Sequence, residues 1–191
     1  MLDILSAIIL GAVQGISEFL PISSSGHLVL VPALLGIETG LAFDTILHIG
    51  TLVAIFTFFW KDIINLIKGF ILSIIDLTEG VDIFKRELHR VPEKRFAWLI
   101  IVGTIPTGIM GILLKDAIET IFRGTLFVGI FLLVTAAVLY YSERHSSGQI
   151  TQKDMSFKQA LIVGICQGLA VFPGISRSGS TIASGLCLGL N

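Results

Sequence analysis

Apolar residues run through this chain in long blocks, and polar residues interrupt them at a few sharp places. Residues 4–13 are apolar but too short to span a bilayer, which takes about 20 apolar residues in a helix. A polar, glycine-marked phrase follows at 14–27, and a second short apolar run at 28–35 ends at Gly36. Two short arms around Pro21 and a Ser/Gly cluster predict a re-entrant helical hairpin over 4–36. Non-helical backbone at membrane depth is tolerated where protein or a wet cavity surrounds it. Three full spans are expected at 41–60, 96–114 and 125–141. Trp60 and Lys61 anchor the first at the interface, and Tyr140 and Tyr141 belt the third. Between the first two spans, Ile63, Ile64, Leu66, Ile67, Phe70, Ile71, Ile74 and Ile75 keep helical spacing. They predict an interfacial or partly inserted helix, with a polar loop over 79–94. A polar connection over 142–158 follows, and Leu161 begins a second hairpin.

The phrase at 14–27 recurs 153 residues later at 167–180. Gln14, Gly15, Phe19, Ile22, Ser23, Ser25 and Gly26 match Gln167, Gly168, Phe172, Ile175, Ser176, Ser178 and Gly179, and Gly11 matches Gly164 upstream. The first copy holds Glu18 and His27 where the second has Val171 and Ser180; the second holds Arg177 where the first has Ser24. One half thus brings an acid and an imidazole, the other a guanidinium. Such groups are costly in hydrocarbon and by default mark a functional site.

Apolar residues make up 53% of the chain and charged ones 14%, against about 25% charged in a soluble domain, so the solvent must be lipid. The net charge of -1 decides little, but its distribution does. There is no Lys or Arg before Lys61, and seven of the thirteen lie within 61–95. That segment and 144–158 are expected on the cytoplasmic side, with the turn at 115–123, bearing Asp116 and Glu119, facing outward. The first hairpin then enters from the outer face and the second from the inner face. Three spans per repeat invert the second copy, an arrangement that places the polar site near the midplane. The expected architecture is one all-α integral membrane domain over 1–191: repeat one at 1–141 and the start of repeat two, a re-entrant hairpin, at 154–191. By that logic about three further spans, roughly 60 residues before loops, would complete the second copy. Nucleic acid is not an expected partner, because the basic segment also carries Asp76, Glu79, Asp82, Glu87 and Glu93. Cys166 and Cys187 are expected as packed thiols, and no Cys/His spacing suggests zinc. The start of the chain has no basic n-region and is expected to belong to the mature fold.

Gln14 and Glu18 are four apart and share a helix face. Glu18 suits a general acid/base, a metal ligand or a group orienting His27; an interfacial capping carboxylate is the plainer role. Ser23, Ser24, Ser25 and Gly26 after Pro21 suit a phosphate cradle of backbone N–H groups, or hydroxyls satisfying their own helix. A hydroxyl here becomes a nucleophile if a base sits close, and His27 is the expected base. Arg177, between Ser176 and Ser178, suits phosphate bidentately; a structural pair with Glu18 is the alternative. Gly179 and Thr181 would add donors. Asp44 and His48, four apart, could line an entrance or simply pack. The run 103–106, ending in Pro106, is expected to break the second span, with Gly108 and Gly111 continuing a packing face.

The phrases EFLPISSSGH and PGISRSGST resemble the two signature motifs of the undecaprenyl-diphosphate phosphatases, the bacitracin-resistance family. The resemblance extends to FDTILHIGTLVA at 43–54, to Trp60-Lys61-Asp62 and to AWLIIVGTIPTGIMGILL at 97–114, nearly the whole chain. It implies an inverted-repeat membrane enzyme of the plasma membrane. Such an enzyme removes the terminal phosphate of a C55 isoprenyl diphosphate at the outer side, recycling the carrier for cell-wall synthesis. By motif position it implies Glu18, Ser24, His27 and Arg177 as the catalytic set. Gln14, Ser23, Ser25, Gly26, Ser176, Ser178, Gly179 and Thr181 would support them. Its partners are the polyprenyl diphosphate and membrane lipid; a homodimer stays open. A divalent cation, Mg or Ca, is the one cofactor to consider, but Gln14 stands where many members carry Glu, which puts a paired-carboxylate site in doubt. Two rivals share some features. A flippase for a phosphorylated isoprenyl lipid would want the same arginine. The histidine-nucleophile lipid phosphatases need a His six residues beyond the Arg, where this chain has Ala183.

Overall fold

The computed structural model describes residues 3–114, 124–146 and 148–191. The turn expected at 115–123, with Asp116 and Glu119, lies outside them. Among the described residues all regular structure is helical, apart from an isolated bridge between Ile150 and Leu190. It is an all-α membrane protein.

The first hairpin forms as its punctuation dictates. Helix α1 (Ile4–Phe19) starts at Asp3, whose carboxylate accepts from the Ser6 N–H at 2.7 Å and is held below the usual carboxylate pKa by that bond. It ends where Leu20 turns extended before Pro21. Helix α2 (Ser24–Leu35) begins after Ser23 and stops at Gly36. The second hairpin repeats this spacing. Helix α8 (Phe157–Leu169) and helix α9 (Arg177–Cys187) each start 153 residues after their counterparts, Ile4 and Ser24. Ser156 and Gln159 close a capping box at the start of α8.

Among the described residues, three helices between the hairpins are long and apolar enough to cross a membrane: α3 (Leu41–Phe58), α6 (Pro92–Leu113) and α7 (Thr125–His145). Their ends differ from expectation by a few residues. Trp60 opens the next helix, and α7 runs past the tyrosines to place Arg144 over the Tyr140 ring and His145 on Tyr141. Helix α4 (Trp60–Glu79) is the amphipathic helix expected after the first span. The polar loop at 79–94 is not a loop. After Gly80 the chain forms helix α5 (Val81–Arg90), with Asp82 in its first turn and His89 and Arg90 in its last, matching the helix dipole. Phe84 of α5 meets the Trp98 ring edge-on. Lys94, 7% exposed, explains why this polar segment folds: its ammonium reaches Asp76 of α4 at 2.5 Å and Glu87 of α5 at 3.6 Å. Trp98 donates to the Ser73 hydroxyl at 2.9 Å. Three polar anchors thus join α4, α5 and α6.

The second span is not broken. Helix α6 continues through Pro106, because a missing N–H can be absorbed within a packed membrane helix. The packing face also differs. Gly108 and Gly111 face open space, while Gly103 meets α8. A Cβ on Gly164 would lie 2.0 Å from the Gly103 carbonyl oxygen, so only glycine permits this crossing. Thr107 bridges the seam, donating to the Gly164 carbonyl at 2.8 Å. At the foot of α8, the Arg95 guanidinium donates to the carbonyls of Lys153 and, at 2.9 Å, Met155. Cys166 is half-buried, and Cys187 is exposed at the end of α9.

Candidate active site

The two hairpin breaks meet. Gly26 of α2 lies so close to Gly174 that a Cβ on Gly26 would sit 3.1 Å from the Gly174 Cα, and a Cβ on Gly179 would sit 3.0 Å from the Pro21 carbonyl oxygen. Between the breaks is a cavity of about 60 Å³ lined by Ser17, Glu18, Ser23, Ser24, Ser25, Ile175, Ser176, Arg177 and Ser178. At about 10–15 Å³ for each water, that is room for a few waters or one phosphoryl group.

Both breaks are built alike. Ser23 caps α2 by accepting from the Gly26 N–H at 3.3 Å, and Ser176 caps α9 by accepting from the Gly179 N–H at 2.9 Å. Ser23 is the one non-glycine residue with positive φ, +67°, among the described residues, a strain of about 1–2 kcal/mol. These caps use up the Gly26 and Gly179 donors. The N–H groups of Ser24, Ser25, Arg177 and Ser178 remain without a partner among the described residues, and all four residues line the cavity. Two helix N-termini therefore converge on one small space, which favours an anion from both sides.

On the first-hairpin side, the Ser24 hydroxyl donates a hydrogen bond to Glu18 Oε2, and Gln14 Nε2 donates to the same oxygen at 3.1 Å. Gln14 is 1% exposed, and its Oε1 has no partner among the described residues. On the other side, Arg177 is exposed at the cavity rim, and no carboxylate pairs with it among the described residues. The structure thus brings together Glu18, Ser23, Ser24, Ser25, Ser176, Arg177 and Ser178. It leaves His27 outside the lining. The His27 ring is turned back on its own helix, with Nδ1 donating to the Ser23 carbonyl at 2.8 Å, so Ser24 is partnered by Glu18 instead. Thr181 also faces away, donating to Gln167 Oε1 and the Arg177 carbonyl. Asp44 and His48 do not line the cavity; His48 Nδ1 bonds the Asp44 carbonyl within α3. The donors around Glu18 make a poor cage for a hard cation. They offer one carboxylate, already engaged twice, and no group of three His, Cys, Asp or Glu side chains occurs among the described residues.

One residue escaped the sequence reading. Thr135, 6% exposed on α7, donates to the Gly174 carbonyl at 3.0 Å and accepts from the Ser176 N–H at 3.1 Å. A lone hydroxyl in an apolar span is its one sequence signal.

The family model described as Bacitracin resistance protein BacA matches residues 7–191. The chain belongs to this family. Among BacA relatives, a protein named undecaprenyl-diphosphatase from Methanobrevibacter smithii is 46% identical over 191 residues, covering 100% of this chain and 68% of its own length. One of the same name from Alkaliphilus metalliredigens is 48% identical over 187 residues, covering 97% and 66%. A third, from Korarchaeum cryptofilum, is 41% identical over 189 residues, covering 99% and 68%. The chain spans about two thirds of the length of these BacA relatives.

Proposed function

We propose that this BacA chain removes the terminal phosphate from undecaprenyl diphosphate, giving undecaprenyl phosphate and inorganic phosphate. The reaction would recycle the lipid carrier for cell-wall synthesis and confer bacitracin resistance. The observation that carries the reading is the meeting of Arg177, which no carboxylate pairs among the described residues, with two open helix N-termini and the Glu18–Ser24 pair around one phosphoryl-sized cavity. The names of the relatives support the substrate.

In this reading Arg177 and the N–H groups of Ser24, Ser25 and Ser178 hold the terminal phosphate and stabilise its equatorial oxygens as charge spreads. The Ser24 oxygen attacks the phosphorus while Glu18 takes its proton. The bond to the bridging oxygen breaks, Glu18 hands that proton to the departing oxygen, and the lipid monophosphate leaves. Water then attacks the phosphoserine phosphorus, Glu18 taking a proton from the water and returning it to the Ser24 oxygen as the P–O bond to serine breaks. His27, outside the lining with Nδ1 tied to the Ser23 carbonyl, moves no proton in this scheme and steadies the start of α2. The isoprenyl tail stays in lipid along Ile16, Phe19, Leu20 and Ile22, which are exposed beside the break. The membrane is the plasma membrane, with the cavity reached from the face opposite the basic segments. Both hairpins re-enter the bilayer from opposite sides as halves of an inverted repeat.

The test is phosphate release from undecaprenyl diphosphate in detergent, where transport cannot be scored. The parent should turn over, and Arg177→Ala should lose about 10³-fold while still inserting into membranes. Near-normal turnover by Arg177→Ala removes the arginine from the mechanism. A parent that releases no phosphate removes hydrolysis.

A further inference from the structure

We infer that Thr135 is a positioning residue for Arg177, an inference that rests on the phosphatase reading above. Helix α7 is the surface against which both breaks are set. Val128, 1% exposed, Leu132 and Thr135 follow one another at helical spacing on one face. The first break lies against Leu132, where a Cβ on Gly26 would come to 3.1 Å. The second lies against Val128, whose carbonyl oxygen would be 2.6 Å from a Cβ on Gly174. Packing alone holds the first contact. At the second, the unwound backbone carries polar groups that hydrocarbon would not satisfy.

Thr135 satisfies two of them with one hydroxyl. Its proton goes to the Gly174 carbonyl, and its lone pair takes the Ser176 N–H, both bonds being buried. The two bonded groups flank Ile175 and lie directly before Arg177, the first residue of α9. The hydroxyl therefore fixes the height and rotation at which α9 begins. That in turn sets where the guanidinium and the Arg177 and Ser178 N–H groups point. The bonds reach across 39 and 41 residues, so no local motif can replace them. Thr135 does not line the cavity and touches no reacting atom; it acts through the tip. A displacement near 1 Å at such a position costs on the order of 10²-fold in rate.

The test compares Thr135→Val, which keeps the shape and removes the hydroxyl, with Thr135→Ser, which keeps the hydroxyl, in the full chain. Turnover is measured per mole of folded protein, and pyrophosphate affinity is measured by calorimetry. Thr135→Val should lose about tenfold or more in kcat and bind pyrophosphate at least fivefold more weakly, whereas Thr135→Ser should stay within about threefold on both. In an Arg177→Lys background, Thr135→Val should cost less than twofold further, because a residue acting through Arg177 is not additive with it. A purely structural threonine would instead cost the same in both backgrounds, and that result overturns the inference. So does a serine variant as poor as the valine one. If Thr135→Val does not accumulate folded, Thr135→Cys, a weak hydrogen-bonding partner of serine's shape, takes its place with the same expectations. A parent that binds pyrophosphate without turnover overturns the phosphatase reading and leaves Thr135 judged by binding. A parent that does neither overturns both.

Discussion

Replacing Gly174 with alanine adds one methyl group to a turn that has no room for it. The backbone there sits at φ +98°, a left-handed conformation that costs an L side chain about 1–2 kcal/mol. The new Cβ would stand 2.6 Å from the Val128 carbonyl oxygen and 2.8 Å from the Phe131 Cβ, where ordinary contact begins at 3.4 Å. The turn must then retreat by about 0.8 Å, and such overpacking adds about 1–3 kcal/mol. Together these predict roughly 2–5 kcal/mol of local destabilisation. The retreat also drags Arg177, three residues on, and turnover should fall by about 10²-fold. The assay is phosphate release per folded mole in detergent, together with the thermal unfolding midpoint. Gly129→Ala is the control. Gly129 lies on the same helix as Val128 with nothing within 4 Å of its would-be Cβ, so alanine should leave turnover alone and add about 0.5–1 kcal/mol of helix stability. A Gly174→Ala enzyme with unchanged rate and midpoint would refute the packing argument, as would equal damage from Gly129→Ala.

Two further substitutions probe other parts of the molecule. Lys94→Met strands the mostly buried Asp76 carboxylate and should cost about 3–5 kcal/mol, seen as a lowered unfolding midpoint; adding Asp76→Leu should recover most of it, and a double variant no better than the single one would show that the pair is not what joins α4 to α6. Gln14→Glu sets a second carboxylate beside Glu18, and phosphate release should become sensitive to chelator and added Mg²⁺ or Ca²⁺; an unchanged response would mean that position 14 is not a missing ligand.

What the sequence disclosed, and what it hid, follows the range of the forces involved. Pro21, Gly36 and the capping serines act within a turn, so both hairpins were legible at their breaks. The failures arose where a distant partner decides. Residues 81–90 looked like a loop because their charges outnumber their apolar groups; the helix is held by Lys94 and Trp98, which lie beyond it. Gly103 was expected in a break that opens a packing face, yet nothing near it in sequence names its partner, Gly164, 61 residues away. In the site, adjacency suggested His27 as the partner of Ser24. Helical geometry instead ties His27 back to Ser23, four residues earlier, while the chain reversal at Pro21 brings Glu18 across to Ser24. Thr135 offered one hydroxyl within an apolar span, and nothing near it names Gly174 or Ser176 as its partners.

The second hairpin is moored twice. Arg95 of α6 grips its root through the carbonyls of Lys153 and Met155, and α7 grips its crown through a single hydroxyl. Along its length the glycine seam leaves no slack for sliding. A hairpin held at both ends resists rocking against α6 and α7. Transport by alternating access demands such rocking, one half swinging against the other. A lashed strut suits a stationary anvil on which a bond is broken, and the cargo, not the scaffold, must do the moving.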